Sequence, residues 1–372
     1  MIYLDYNATT PIDKSVYKAM LPYLESQFGN PSNSYELGQS AKRGVENARS
    51  QIADLIGAKA SEVLFTGCGS ESNNMVVKGV AYTYKNKGRH IVTSCIEHPA
   101  ILAPLSFLEK NGYEVTYLPV NRKGSVDPED LKKALRKDTI LVTIMHSNNE
   151  VGTLQPIQEL GGLCQKKGVL FHTDASQSLG KVEIDVSKLP VDFLTIAGHK
   201  LYAPKGIGAV YIRDGLEIEP LLHGASQERG RRAGTENVPY AVALGEAAIQ
   251  AKAHLKQDTL LQSREYFYNR LKEAFGDKIH LNGDEMNRLP NTLNISFIGS
   301  LGSDILAVLP EICASTGSAC HSGSKSVSPV LAAMGVEEEI ALGAIRFSVG
   351  RYTTKLEIDQ AVNQLTMYFS NT

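Results

Sequence analysis

Short β-rich runs alternate with helical stretches between about residues 60 and 215. The runs share β-branched and aromatic residues, and in chain order they are EVLFT, HIVTS, EVTYLPV, TILVTIMH, VLFHTDA, DFLTIA and GAVYIR. Strands joined by helical crossovers pair in parallel and are covered on both faces, so this order predicts an α/β fold with a mainly parallel seven-stranded sheet. Ligands bind outside the carboxyl ends of such strands. Polar residues that follow a strand are therefore the first candidates for function.

The remainder of the chain predicts a second, smaller α+β unit. Residues 237–275 read as one long, lightly interrupted helix, and NTLNISF, AIRFSVG and EIDQAVNQLTMYF then read as two strands and a closing amphipathic helix. We expect a large domain over residues 15–250. We expect the small domain to combine residues 1–14 with residues 251–372.

Composition narrows the possible function classes. The chain has 372 residues, 42% of them hydrophobic, and a formal net charge of −2. This charge gives no positive field that would attract nucleic acid or an anionic membrane. No apolar run is long enough to span a membrane. The start, MIYLDYNATTP, carries no leader pattern, so we expect a cytoplasmic protein with a small-molecule substrate.

Asp174 and Lys200 form the most informative pair of candidates. Asp174 ends an apolar strand, where a carboxylate is costly unless it has a cationic partner or several hydrogen bonds. Lys200 directly follows the next strand, as part of Gly198-His199-Lys200. Alone, the first could be a helix cap and the second a surface lysine. Together they fit pyridoxal 5'-phosphate, which needs an amine for its aldehyde and an acid for its ring nitrogen.

Three further segments carry candidates that also have plain structural explanations. TGCGSESNN, with Gly69 and Ser70, leads from a strand into a helix, and it suits either an anion at a helix start or an ordinary cap. His98, in SCIEHPA, could shuttle a proton or be a structural histidine. Arg346, in the strand-like AIRFSVG, should meet a carboxylate from either a ligand or the protein.

One of the five cysteines, Cys320, has sequence neighbours that favour a chemical role. The five cysteines contain no C-x-x-C pair, so neither a disulfide framework nor a zinc site is indicated, and we expect no metal. Cys68, Cys95, Cys164 and Cys313 lie beside apolar or small residues, which favours packing roles. Cys320 lies beside His321 in the Gly/Ser-rich patch GSACHSGSKSVS, and a neighbouring imidazolium favours the nucleophilic thiolate.

In their order along nearly the whole chain, these motifs resemble the class V, fold-type I pyridoxal-phosphate enzymes, and within them the NifS/IscS-like cysteine desulfurases. The matching motifs are YLDYNATTP, GNPSNSYELG, FTGCGSESNN, EHPA, MHSNNEVG, HTDASQSLGK, GHKLYAPKGIG, RRAGTEN, STGSAC and IRFSVGR. The resemblance implies a large domain that binds the cofactor and a small domain that carries the catalytic-cysteine loop.

The resemblance also implies roles for matching residues. Lys200 would hold the cofactor and move the substrate's α-proton, Asp174 would keep the ring nitrogen protonated, and His98 would stack on the ring. Gln177 and Asn149 would contact the phenolic oxygen or the substrate, and Gly69, Ser70 and His199 would lie at the phosphate. Thr235 would reach the phosphate in the partner subunit of a homodimer, Arg346 would bind the substrate carboxylate, and Cys320 would take the sulfur.

The implied reaction converts L-cysteine to L-alanine and passes sulfur to an acceptor protein, either an iron–sulfur scaffold or a tRNA-thiolation enzyme. Cys320-His321-Ser322 resembles selenocysteine lyases, whereas Pro99 after His98 favours ordinary cysteine. Two more functions are compatible with the same scaffold, namely an aminotransferase and a sulfur-relay protein without catalysis. Retention of Lys200, Asp174, His98 and Cys320 together disfavours the non-catalytic function.

Overall fold

A seven-stranded sheet forms the centre of the larger part of the chain in the computed structural model, which describes residues 1–316 and 327–370. The strands of this described part are β1 Ile2–Tyr3, β2 Val63–Thr66, β3 His90–Ser94, β4 Glu114–Leu118, β5 Thr139–Thr143, β6 Leu170–Asp174, β7 Phe193–Ala197, β8 Gly208–Ile212, β9 Ile279–Asn282, β10 Thr292–Phe297, β11 Ile312–Cys313 and β12 Ala344–Ser348. The seven strands predicted between residues 60 and 215 are β2 to β8.

The α-helices surround this sheet and a smaller one. Over the same residues they are α1 Lys14–Glu25, α2 Glu36–Ile56, α3 Gly69–Tyr84, α4 Pro99–Glu109, α5 Pro128–Ala134, α6 Ile157–Lys167, α7 Val238–His254, α8 Thr259–Phe275, α9 Gly302–Val308, α10 Pro329–Ala333, α11 Glu338–Leu342 and α12 Lys355–Ser370. None of the helices in the described ranges is long and apolar enough to cross a membrane.

The large sheet has the order β2-β8-β7-β6-β5-β3-β4. Strand β8 runs antiparallel to both of its neighbours, and the other pairs are parallel. Successive residues of β5 and β7 lie in different apolar clusters. Leu141 and Phe193 lie in one cluster, and Val142 and Leu194 lie in the other. Because successive side chains of a strand point to opposite faces, both faces are buried, which confirms the predicted fold class.

The smaller sheet is antiparallel, with the order β12-β10-β9. Its apolar cluster includes Phe267 of α8 and Leu365 of α12, together with Ile2 and Leu4 from the start of the chain. The first residues of the chain, Ile2 and Leu4, therefore pack with elements from its last third. The predicted domain boundaries themselves stay a prediction.

Two helices replace the single helix expected over residues 237–275. Helix α7 ends at His254 and α8 begins at Thr259, and between them the Gln257 N–H donates to the His254 carbonyl in a turn. The helices bury their apolar sides in different cores, since Leu244 lies in the core of the large sheet and Leu271 in that of the small sheet. One straight helix could not serve both cores, and the exposed polar residues 256–258 form the break.

Candidate active site

A cavity of about 400 Å³ lies at the carboxyl ends of the parallel strands. Nine of the predicted site residues line it. Arg346 comes from β12 of the small sheet, and the other eight lie at or after the ends of strands of the large sheet: Gly69, Ser70, His98, Asn149, Asp174, Gln177, His199 and Lys200. Parallel strands place their carboxyl ends at one edge of the sheet, so residues more than 100 positions apart converge here.

The Lys200 amine lies at the base of this cavity. Lys200 ends a single 3₁₀ turn, Gly198–Lys200, that directly follows β7. Its Nζ donates to the carbonyl oxygens of Asn7 and, at 2.7 Å, of Ala8. Burial, followed by the charge of Arg346, lowers the pKa of Lys200 to about 8, so about a tenth of the amine is neutral at pH 7 and about half at pH 8.

Asp174 presents a buried carboxylate to the same cavity. It is the last residue of β6 and is 9% exposed. Its Oδ1 accepts the Ser176 N–H at 2.9 Å, and its Oδ2 accepts Asn73 Nδ2 at 2.7 Å. Neutral donors satisfy this carboxylate, and no ion pair joins it to a cation of the described residues. The carboxylate therefore remains suited to a cationic ligand group.

The first turn of α3 forms one wall of the cavity. Gly69 is the first helical residue, Ser70 follows it, and Cys68 is the N-cap. A Cβ at residue 69 would lie 3.1 Å from Ala197 Cβ and 3.2 Å from Ser176 Oγ, so a small residue keeps this wall close to the strand ends. The first N–H groups of a helix lack intrahelical partners and attract anions. Cys68 is exposed here, unlike the buried Cys164, because the cap lies at the rim of the cavity.

Two histidines line the cavity in their neutral forms. His98 is the N-cap of α4, and its Nδ1 accepts the Ala100 N–H at 3.1 Å. Its side chain is open to the cavity, and the surrounding protein lowers its pKa by desolvation. His199 lies 3.2 Å from Thr9 Oγ1, and burial together with Lys200 lowers its pKa to about 4.

Arg346 reaches the cavity from β12 of the small sheet. Its Nη2 donates to Asp5 Oδ1 at 2.7 Å and its Nη1 to the Asn149 carbonyl at 3.1 Å, whereas its buried Nε has no partner within the described part of the chain. Both the structural explanation and the ligand explanation of this arginine therefore have support. The backbone of Arg346 also pairs with that of Ser315.

Two predicted site residues are not in this cluster. Thr235 is exposed and does not line the cavity, although its segment is held to α3 by the ion pair of Arg232 with Glu71, at 2.8 Å. Cys320 lies outside the described residues, as does His321. The segment that contains them follows Thr316 and ends before Val327.

A family model for aminotransferase class V matches residues 2–361. The chain belongs to this family. It is 50% identical over 368 residues to a cysteine desulfurase IscS from Dictyoglomus turgidum, covering 98% of this chain and 93% of that protein. It is 48% identical to a cysteine desulfurase IscS from Methanosarcina thermophila, covering 97% of this chain and 90% of that protein.

Solved structures of related proteins share the fold over nearly the whole chain. A NifS-like protein has a TM-score of 0.93 and 37% identity and covers 100% of both chains. A structure described as SspA in complex with cysteine has a TM-score of 0.84 and 36% identity, covering 95% of this chain and 100% of that chain. Class V enzymes of this kind depend on pyridoxal phosphate.

The residues present fit that cofactor by their chemistry. The lowered pKa of Lys200 provides an amine, Asp174 provides a carboxylate for a ring cation, and the start of α3 provides an anion site. Asn73 Oδ1 is buried without a partner in the described residues, which leaves polar capacity next to Asp174. Each charged part of the cofactor therefore finds a complementary group in one cavity.

Sequence analysis missed two residues of this site. Asn73 lies one helical turn after Gly69, so the i, i+4 relationship on α3 could have placed it beside the cavity. Asn7, in YLDYNATTP, contacts Lys200 through its carbonyl and Gln177 through the same oxygen. No local pattern places a residue from the chain start against residues 170 or more positions later.

Proposed function

We propose that the protein is a pyridoxal-phosphate-dependent cysteine desulfurase. L-Cysteine and the Cys320 thiol give L-alanine and a Cys320 persulfide, in which the Cβ–S bond breaks and an S–S bond forms. The observation that carries the proposal is the convergence of Lys200, Asp174 and Arg346 on one cavity. The cysteine desulfurase relatives and the cysteine-bound structure support this choice among class V reactions.

The cofactor would be held at three points. Lys200 would bind its aldehyde, the carboxylate of Asp174 would pair with its ring nitrogen, and the first turn of α3 with Gly69 and Ser70 would bind its phosphate. The neutral His199 would serve as an uncharged partner at the phosphate, and His98 would lie against the ring. When bound, the cofactor supplies an electron sink for the bonds at the substrate's Cα.

Lys200 and His98 carry the proton transfers. A general base works best when its pKa lies near the operating pH, and the Lys200 pKa of about 8 meets this condition. Once the substrate's amino group has replaced Lys200 at the cofactor, the freed Lys200 amine would remove the proton from Cα and return a proton to the product. His98 lies in the same cavity with a lowered pKa, so its neutral ring accepts a proton from the substrate thiol or amine.

Arg346 binds the substrate carboxylate, and Asn149 and Gln177 complete the contacts around the substrate and the cofactor's phenolic oxygen. A guanidinium pairs with a carboxylate through parallel N–H donors, and the Arg346 Nε still lacks a partner among the described residues. This contact fixes the orientation of the substrate L-cysteine by its carboxylate. The substrate's thiol then remains free to react with Cys320.

The route of the chain supports the role of Cys320. Ser315 forms an antiparallel bridge with Arg346, so the chain passes the carboxylate-binding residue five positions before Cys320. Five extended residues span at most about 18 Å. A connection of five residues is therefore long enough for the Cys320 thiol to reach a substrate bound at Arg346.

The homodimer and the sulfur acceptor belong to this proposal. Thr235 is exposed and does not line the cavity of its own chain, which suits a contact with the phosphate in a partner subunit. The acceptor would be a protein of iron–sulfur cluster assembly or tRNA thiolation. The IscS relatives favour the former.

A visible spectrum tests the proposal together with a product assay. The purified protein, loaded with pyridoxal phosphate, should be yellow, and L-cysteine should change the absorption band as alanine and sulfide appear. A parallel assay with L-selenocysteine distinguishes a desulfurase from a selenocysteine lyase. A yellow protein that forms no alanine from cysteine would refute the reaction but not the cofactor. A protein that takes up no cofactor would refute both.

A further inference from the structure

Lys181 places a second amine directly behind the active site. It is half-buried, and its Nζ donates to Gln177 Oε1 at 3.1 Å and to Asn7 Oδ1 at 3.2 Å. No carboxylate within residues 1–316 and 327–370 forms an ion pair with it. Lys181 does not line the cavity, whereas both of its partners do.

Chemistry fixes the orientation of the Gln177 amide. An amine donates in both its charged and its neutral form, so the oxygen is the Gln177 atom that suits the position facing Lys181. On the other side, Gln177 Nε2 donates at 2.9 Å to the Asn7 carbonyl, which only accepts. Both neighbours require the same orientation, so the remaining amide hydrogen of Gln177 is the group available to the cavity.

Asn7 is fixed in the same way. Its Oδ1 accepts from Lys181 and, at 3.0 Å, from Asn291 Nδ2, and its Nδ2 donates to Thr292 Oγ1 at 2.8 Å. Its backbone carbonyl accepts from both Gln177 and Lys200. The two lysines are thus joined through one asparagine.

The charge environment makes a purely structural role for this amine unfavourable. Burial, followed by the charges of Lys200 and Arg346, lowers the pKa of Lys181 well below its ordinary value. An apolar side chain of similar length would avoid both desolvation and repulsion. What the amine adds is a donor to Gln177 Oε1 and to Asn7 Oδ1, which reinforces the orientation that the Asn7 carbonyl requires of Gln177.

We propose that Lys181 is a positioning residue that, together with the Asn7 carbonyl, makes Gln177 present an N–H group, and not its side-chain carbonyl, to the cofactor's phenolic oxygen. This inference rests on the proposed function, because it presumes bound pyridoxal phosphate. Without Lys181 only the contact with the Asn7 carbonyl holds the amide, so rotation that brings the amide oxygen against the electron-rich phenolic oxygen becomes easier. A contact between those two oxygens is repulsive.

The test follows the bound cofactor and not the turnover. An N–H group that donates to the phenolic oxygen favours the form of the bound cofactor in which that oxygen carries no proton. Loss of the donor therefore raises the pH midpoint of the change in the cofactor's visible absorption band. Lys181→Met should raise this midpoint by about one pH unit, the equivalent of one hydrogen bond, and weaken cofactor binding to the apo-protein about tenfold. Lys181→Arg should restore both values in part.

A double-mutant cycle separates positioning from general damage. Gln177→Ala should give a similar rise, and Lys181→Met in the Gln177→Ala background should add nothing, because Lys181 acts through Gln177. Lys188→Met is the matched control, since Lys188 is exposed and pairs with Asp185. It should leave both readouts unchanged.

Three results would overturn the inference: an unchanged midpoint in Lys181→Met, a shift that adds fully to that of Gln177→Ala, or an equal shift in Lys188→Met. If Lys181→Met does not fold, Gln177→Glu replaces it, because a carboxylate keeps the contact with Lys181 but has no N–H to donate. An unchanged midpoint there would also refute the inference. Cofactor uptake without alanine formation would contradict only the proposed reaction, whereas absence of cofactor uptake would contradict both.

Discussion

Arg346 Nη2 and Asp5 Oδ1 lie 2.7 Å apart, so the arginine that we propose binds the substrate carboxylate is already paired with an acid from the start of the chain. Both side chains are largely buried, at 8% and 17% exposure. Loss of one member of a buried pair leaves the other charge unsatisfied. We therefore expect Arg346 to contribute to stability through Asp5, and we propose that its remaining N–H groups bind the substrate.

A double variant separates these two contributions. Arg346→Gln should lower the free energy of unfolding by about 3 kcal/mol. It should also raise KM for cysteine about 10- to 100-fold, as expected for loss of a charged hydrogen bond. Adding Asp5→Asn should restore most of the stability, because the unpaired carboxylate is gone, but not KM. Denaturant unfolding and steady-state kinetics measure the two effects. Recovery of KM in the double variant would contradict the role of Arg346.

The lowered pKa of Lys200 predicts how fast the apo-protein recaptures pyridoxal phosphate at each pH. Only the neutral amine attacks the aldehyde, so the rate should rise with pH around a midpoint near 8, the pKa of Lys200. Arg346 lowers this pKa and Asp5 raises it. Arg346→Gln should therefore move the midpoint upward and Asp5→Asn downward. A midpoint near 10.5, the ordinary pKa of lysine, would contradict the assigned environment.

The raised pKa of Glu150 predicts that the stability of the protein depends on pH. Glu150 Oε2 accepts the Ser328 hydroxyl at 2.5 Å, and burial raises the pKa of Glu150 from 4.5 to about 7. The unfolded chain loses this proton at lower pH, so the free energy of unfolding falls as pH rises from about 4.5 to 7. The full loss is about 3 kcal/mol.

Glu150→Gln removes this titration but keeps an oxygen that accepts from Ser328. The stability difference between the unaltered protein and this variant should therefore change across the same pH window and stay constant above it. Unfolding by urea at several pH values measures the difference. Glu159→Gln, at an exposed position of α6, is the control and should show no such change. A constant difference for Glu150→Gln would show that Glu150 keeps an ordinary pKa.

The sequence predicted the elements whose burial leaves a local pattern. Strands such as β5 and β7 are buried along their whole length, so they appear as continuous apolar runs. The same reasoning placed Asp174 and Lys200 together, because parallel strands end at one edge. The break between α7 and α8 was not predicted, because the residues before and after it both have a helical pattern. The two helices differ only in the apolar core into which each one packs.

Side-chain partners could not be predicted from the same patterns. Asn73 and Asp174 are 101 positions apart, and Asn7 and Lys200 are 193 apart, so their hydrogen bonds exist only once the fold is formed. An asparagine or lysine with no apolar periodicity gives no local indication of its partner. Lys181 was passed over for this reason, although the motif HTDASQSLGK contains it.

The most direct test of the central claim is a single turnover of the cofactor-loaded protein with L-cysteine in the absence of reductant, followed by mass spectrometry of the Cys320 peptide. We predict one added sulfur atom on Cys320 for each alanine formed, and in Cys320→Ser a spectral response to cysteine without sulfur transfer. Alanine formation that leaves Cys320 unmodified, or unchanged turnover in Cys320→Ser, would contradict the account.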